Sequence, residues 1–109
     1  MNVRGKVLRD ADHCINGERE GQYGSPEDNF RKIAILWSNY LNLTNKVQLS
    51  LSAADVAKMM VLFKLARSMG PQDKYDNYVD LIGYAACAAE SKVIEDPSLI
   101  TRDCSIGGE

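Results

Sequence analysis

Between Ser52 and Val93 the chain carries two long apolar stretches separated by little more than Gly70-Pro71. Ser52-Ala53-Ala54-Asp55 has the spacing of a helix-opening capping box, with aspartate in place of the usual glutamate. Behind it, Val56, Met59, Met60, Val61, Leu62, Phe63, Leu65, Ala66 and Met69 leave almost no polar face, which places this helix at the centre of its fold. The second stretch shows Tyr75, Tyr78, Val79, Ile82, Ala85, Ala86 and Ala89 on one side, with Asp73 as the expected cap. So short a connection makes the two helices, 53–69 and about 74–92, antiparallel neighbours. The expected fold class is all-α: a four-helix domain with a central antiparallel helical hairpin. Trp37, Met60, Phe63 and Ile82 should be largely buried in it.

Two further helices precede the hairpin. Val3, Val7, Leu8, Ala11, Cys14 and Ile15 step by three and four along the first, and Asn16-Gly17 supplies a stop that suits a left-handed cap. Ser25-Pro26-Glu27-Asp28 opens the second: serine caps, proline fits the first helical position, and two acids favour the positive end. Phe30, Ile33, Ala34, Trp37, Tyr40 and Leu41 line its apolar face to about Leu43. Val47, Leu49 and Leu51 then alternate as in a short extended piece. Residues 1–93 read as one domain and 94–109 as a C-terminal tail, partly disordered at its end.

Composition narrows the function classes. A net charge of -2, from 13 basic and 15 acidic residues, provides no basic excess for neutralising phosphates, so no direct DNA binding is expected. It also falls far short of the acidity of a DNA mimic. Cys14, Cys87 and Cys104 are odd in number and widely spaced, neither a disulfide framework nor a zinc pattern. No stretch approaches the ~20 apolar residues that span a bilayer, and the opening ten residues lack the apolar run of a secretory signal. The expected location is the cytoplasm. His13 is the single histidine, and no catalytic triad or Walker-type loop appears. No catalytic residue, metal or cofactor is therefore expected.

The polar residues of the apolar hairpin stand out. In register from the turn, Arg67 falls opposite Asp76 and Lys64 lies near Asp80. Two arrangements fit: an inter-helix ion-pair ladder, or a polar pocket in which Lys64 and Arg67 hold an anionic ligand. The loop Glu18–Ser25, with Arg19, Tyr23 and two glycines, adds candidate binding residues. Its use as a phosphate cradle is blunted, because Pro26 removes a donor and Glu27 and Asp28 already occupy the helix end. Tyr23 is expected to pack beneath Gly24. The thin alanine face of the last helix suggests a two-fold dimer.

Taken together, Arg19, Tyr23-Gly24-Ser25-Pro26-Glu27, Asn29-Phe30, Ile33, Leu36-Trp37, Asp55-Val56-Ala57, Met59-Met60, Lys64, Ala66-Arg67, Asp76-Asn77-Tyr78-Val79-Asp80 and Gly83-Tyr84-Ala85 form a specific pattern. It resembles a family of small phage and prophage all-α proteins, over roughly residues 3 to 93. The last-helix pattern is also similar to that of helical nucleotide pyrophosphohydrolases. Those enzymes use Glu-x-x-Asp, whereas Asp76 and Asp80 stand here, with Asn77 at a ligand position. The whole chain further looks like a type II-A anti-CRISPR protein. The resemblance implies a non-enzymatic counter-defence protein that binds a host RNA-guided nuclease. The alternative it implies is a nucleotide-binding protein of phage nucleotide metabolism, with metal-dependent pyrophosphohydrolysis as the enzymatic form.

Overall fold

A computed structural model describes residues 2–17 and 24–102. It contains four α-helices: α1 (Val3–Asn16), α2 (Pro26–Asn45), α3 (Ala53–Arg67) and α4 (Tyr75–Glu95). A short 3-10 turn, Pro97–Thr101, follows α4 and packs against it. The all-α class holds, and no strand forms among the described residues. No described helix is long and apolar enough to cross a membrane.

The helix starts follow their local chemistry. Ser25 Oγ accepts from the Asp28 amide with Pro26 at the first helical position, and Ser52 and Asp55 form the reciprocal capping box. α1 is capped by Asn2, whose side chain accepts from the Gly5 amide. α2 runs two residues past the expected Leu43, because Thr44 and Asn45 turn their side chains back onto the Tyr40 and Leu41 carbonyls and Lys46 takes the left-handed cap at φ 53°. The connection to α3 is held without a strand. Asn42 clamps both polar groups of Leu49, and Ser38 Oγ accepts from the Leu51 amide.

Two expected termini are built differently. Gly17 ends α1 in an extended conformation, φ -89° and ψ -162°, and not in the left-handed region. Asp73 does not cap α4: Lys74 holds that position with no side-chain bond. The Asp73 carboxylate instead accepts from Asn77 Nδ2 at 2.9 Å and from the Tyr78 hydroxyl, tying the hairpin turn to the first turn of α4.

The core is small and lies at one end of the hairpin. Phe30 and Ala34 of α2 meet Ala53, Val56 and Ala57 of α3 and Cys87 and Ala88 of α4, with Ile15, Ile33, Trp37, Leu51, Met60 and Tyr84 packed around them. Ser91 reaches across to the Glu27 carboxylate and Asn77 to Asp73, so these buried polar groups are satisfied.

This placement corrects the expected core. Trp37, Met60 and Ile82 are half-buried, but Phe63 is 46% exposed. Among the described residues the helix read as central is buried at Ala53, Ala54, Val56 and Ala57, where Phe30 and Ala34 of α2 meet it, while its outer half packs on α4 and carries exposed Leu62, Phe63 and Leu65. The buried side of α4 is also rotated from the expected one. It carries Asn77, Val79, Gly83, Cys87, Ala88 and Ser91, while Tyr75, Tyr78, Ala85, Ala86 and Ala89 are exposed. The reason is α1, which lies along the other side of α4: a Cβ on Gly83 would stand 3.2 Å from Ile15 Cγ2, so Gly83 has to face inward.

Candidate functional site

Three helices converge beside the core on a cavity of about 360 Å³. α1 contributes Cys14 and Ile15; Gly24 comes from the segment leading into α2, and Pro26, Asn29 and Phe30 from its start; α4 contributes Val79, Asp80, Gly83, Tyr84 and Cys87. Helical geometry explains the α4 set: Asp80, Gly83, Tyr84 and Cys87 lie three and four apart and share one face. Gly83 lets α1 approach, and the Phe30 and Tyr84 rings stand 6.0 Å apart at 49°, closing the apolar wall.

Asp80 is the carboxylate lining this cavity among the described residues, and its charge is matched from α3. Lys64 Nζ lies 2.8 Å from Asp80 Oδ2, with the lysine side chain 15% exposed and the aspartate 38%. The expected Lys64–Asp80 pairing is therefore present, and it sits at the rim of a cavity.

The second rung of the ladder is absent. Arg67 makes no ion pair with Asp76; its guanidinium lies 5.2 Å from the centre of the Phe63 ring. Phe63 is uncovered and one turn back, so the cation lies over its face, and Lys64 Nζ is 5.9 Å from the same ring. Asp76 stays exposed in the first turn of α4, where a negative charge complements the positive helix end. Arg19 and Tyr23, and with them the expected packing of Tyr23 under Gly24, lie outside the described residues, as does Cys104. Gly24 itself has φ +81° and borders the cavity. No group of three or more His, Cys, Asp or Glu side chains that could hold a metal occurs among the described residues.

Sequence reasoning missed Asn29, Tyr84, Cys14 and Cys87 as cavity residues. Each sits at helical spacing with core residues, and only the approach of α1 to Gly83 shows that they border a space. It also missed the clasp fixing α1 to α4. Asp10 accepts from Lys6 Nζ and from the Tyr75 hydroxyl, both at 2.6 Å, and Lys6 Nζ stands 4.7 Å over the Tyr75 ring. The Lys6 ammonium, and then the Tyr75 hydroxyl, hold the Asp10 carboxyl below the usual aspartate range. Asp10 in turn pushes both Lys6 and Tyr75 up.

The chain has clear relatives. It is 38% identical over 91 residues to the Gene 55 protein of Mycobacterium phage D29, covering 84% of this chain and 55% of that protein. It is 37% identical over 90 residues to the Gene 55 protein of Mycobacterium phage L5, covering 83% and 54%. The chain thus spans about half the length of the curated relatives it matches. No solved structure matches it. Residues 6–92, from the clasp lysine of α1 through the cavity face of α4, match one family throughout, and the chain belongs to that family, the Domain of unknown function DUF6378.

Proposed function

We propose that this phage-type domain binds a nucleotide-sized ligand in the three-helix cavity. The observation that carries the reading is the Lys64–Asp80 pair at the edge of a half-apolar space bordered by Asn29, Phe30 and Tyr84. A space of about 360 Å³ falls within the range of small-molecule sites. The aromatic wall suits the face of a base. Asp80 retains acceptor capacity beyond its bond to Lys64, for amino or hydroxyl donors of a base or ribose. The reading is binding and not hydrolysis, because a single carboxylate already neutralised at 2.8 Å is a poor cation ligand.

The test is a thermal-shift and calorimetric screen of nucleoside mono-, di- and triphosphates, with and without Mg²⁺. A ligand at 100 times its Kd should stabilise the fold by about 2.7 kcal/mol, a rise of several degrees in Tm. Asp80→Asn and Tyr84→Ala should abolish that rise while the proteins remain helical. If no nucleotide stabilises the chain and it protects DNA in a nuclease-interference assay, the nucleotide reading fails. The counter-defence role, an inhibitor of the RNA-guided nuclease suggested by the anti-CRISPR resemblance, then takes its place.

A further inference from the structure

Among the described residues the three-helix cavity is lined by a single charged side chain, Asp80, and by no lysine or arginine. Lys64 approaches Asp80 Oδ2 at 2.8 Å from across the hairpin, and the carboxylate accepts no further hydrogen bond among the described residues. A carboxylate has about four lone-pair sites, so most of its acceptor capacity is unused. Tyr84 stands one helical turn further along the same face of α4, its ring meeting Phe30 at 6.0 Å and 49°. The cavity wall thus sets an aromatic face within one turn of an acceptor that has room for N–H donors.

Resting on the nucleotide reading of the same cavity, we infer that the nucleotide it takes carries guanine, whose N1–H and N2 amino group donate to the Asp80 carboxylate. The choice follows from the order of donors and acceptors along each base edge. An ionised carboxylate only accepts, so it attracts N–H groups and repels a carbonyl oxygen or a ring-nitrogen lone pair. Guanine sets two donors side by side, and a carboxylate takes both as a pair. Adenine and cytosine each set one amino group beside an acceptor ring nitrogen. Uracil and thymine hold their single edge N–H between two carbonyls.

The half-apolar surroundings sharpen the choice. Hydrogen bonds to an ionised acceptor are roughly twice as strong as neutral ones. A base acceptor turned toward Asp80 is left unpaired as well as repelled, and such mismatches discriminate more strongly than differences in apolar contact. Because no described cation lines the space, the base edge and not the phosphate supplies the discrimination.

Calorimetry and thermal shift of the full chain with five nucleoside 5′-monophosphates test the inference, since the phosphate is common to all and only the base differs. GMP should bind roughly tenfold or more tightly than AMP, CMP and UMP. Inosine monophosphate lacks only the N2 amino group, and should also bind roughly tenfold or more weakly than GMP, the loss of one hydrogen bond to a charged acceptor. Asp80→Asn exchanges one acceptor for a donor, which matches xanthine, where N1–H stands beside a C2 carbonyl. That variant should lose GMP and take xanthosine monophosphate, a reversal that mere loss of fold does not produce. Should it fail to fold for want of a partner for Lys64, Lys64→Met with Asp80→Asn removes the stranded ammonium and is read the same way. Inosine monophosphate bound as tightly as GMP, tighter binding of AMP, CMP or UMP, or GMP binding retained by Asp80→Asn overturns the guanine assignment while nucleotide binding stands. If neither the monophosphates nor the corresponding triphosphates bind, the nucleotide reading itself fails and the assignment falls with it.

Discussion

Lys64 and Asp80 meet at 2.8 Å across the α3–α4 hairpin, three helical turns of α3 beyond its capping box and one turn before the close approach of α1 at Gly83. The pair marks where the hairpin changes character. On one side lies the core with Val56, Ala57, Cys87 and Ala88, all below 8% exposed; on the other, α3 shows apolar side chains to solvent. The single ion pair thus registers the two helices and borders the cavity.

Replacing either partner should destabilise by an intermediate amount. Asp80→Asn strands a mostly buried ammonium and should cost about 1–3 kcal/mol, between the values of exposed and buried pairs. Lys64→Met together with Asp80→Leu should lie within about 1 kcal/mol of the parent, since neither charge is then left alone. Urea denaturation monitored by circular dichroism distinguishes the two. Equal losses in the single and double variants would show that the pair contributes no coupling.

The two phenylalanines should differ sharply. Phe30 is 9% exposed and central to the core, so Phe30→Ala should cost about 3–5 kcal/mol. Phe63, at 46% exposure, leaves no internal cavity when truncated and should cost less than about 1.5 kcal/mol. Chemical denaturation of both at one fixed protein concentration gives the comparison. A larger loss at Phe63 would contradict the exposed placement of the outer half of α3.

The capping box opening α3 should be worth a measurable amount by itself. Ser52→Ala leaves the Asp55 amide without its acceptor, with an expected loss of about 1 kcal/mol. Ser52→Gly should cost only a few tenths of that unit, because glycine is tolerated at this position. Thermal melts of the two variants check the order.

Acid should weaken the fold through two aspartates. The carboxyl of Asp10 is held low by Lys6 and then Tyr75, and that of Asp73 by Tyr78 and then Asn77. A depressed carboxylate contributes stability that is complete above its unfolded pKa, near 4, and is lost as pH falls through the lower folded value. Tm should therefore decline below about pH 4, and more shallowly in Asp10→Asn and Asp73→Asn. Lys6, Tyr75 and Tyr78 are shifted upward, so their share is complete below about pH 10 and is lost as pH rises through the folded values. Identical acid limbs in parent and variants would remove both clasps from the stability of the fold.

Local chemistry in the chain was enough to place the four helices and most of their ends. Ser25-Pro26 and Ser52-Ala53-Ala54-Asp55 satisfy orphan amides from within a few residues, so no distant contact is needed to start α2 or α3. The hairpin and its Lys64–Asp80 register followed as well, because a short connection leaves few ways to lay two helices side by side. The azimuth of each helix was decided only in three dimensions. In a helix apolar nearly all round, such as α3, periodicity does not say which stripe is covered, and α2 happens to cross near Ala53–Ala57. In α4 the tyrosines and alanines grouped with Val79 competed with Asn77, Gly83 and Cys87 for the inner side. The contest was settled by α1, whose Ile15 needs the space at Gly83 and whose Asp10 needs the Tyr75 hydroxyl outside. The cavity is a product of the same approach: Asn29, Tyr84 and Cys14 are far apart in the chain, and only the packing of three helices, which depends on the shape of all their side chains at once, brings them to one space.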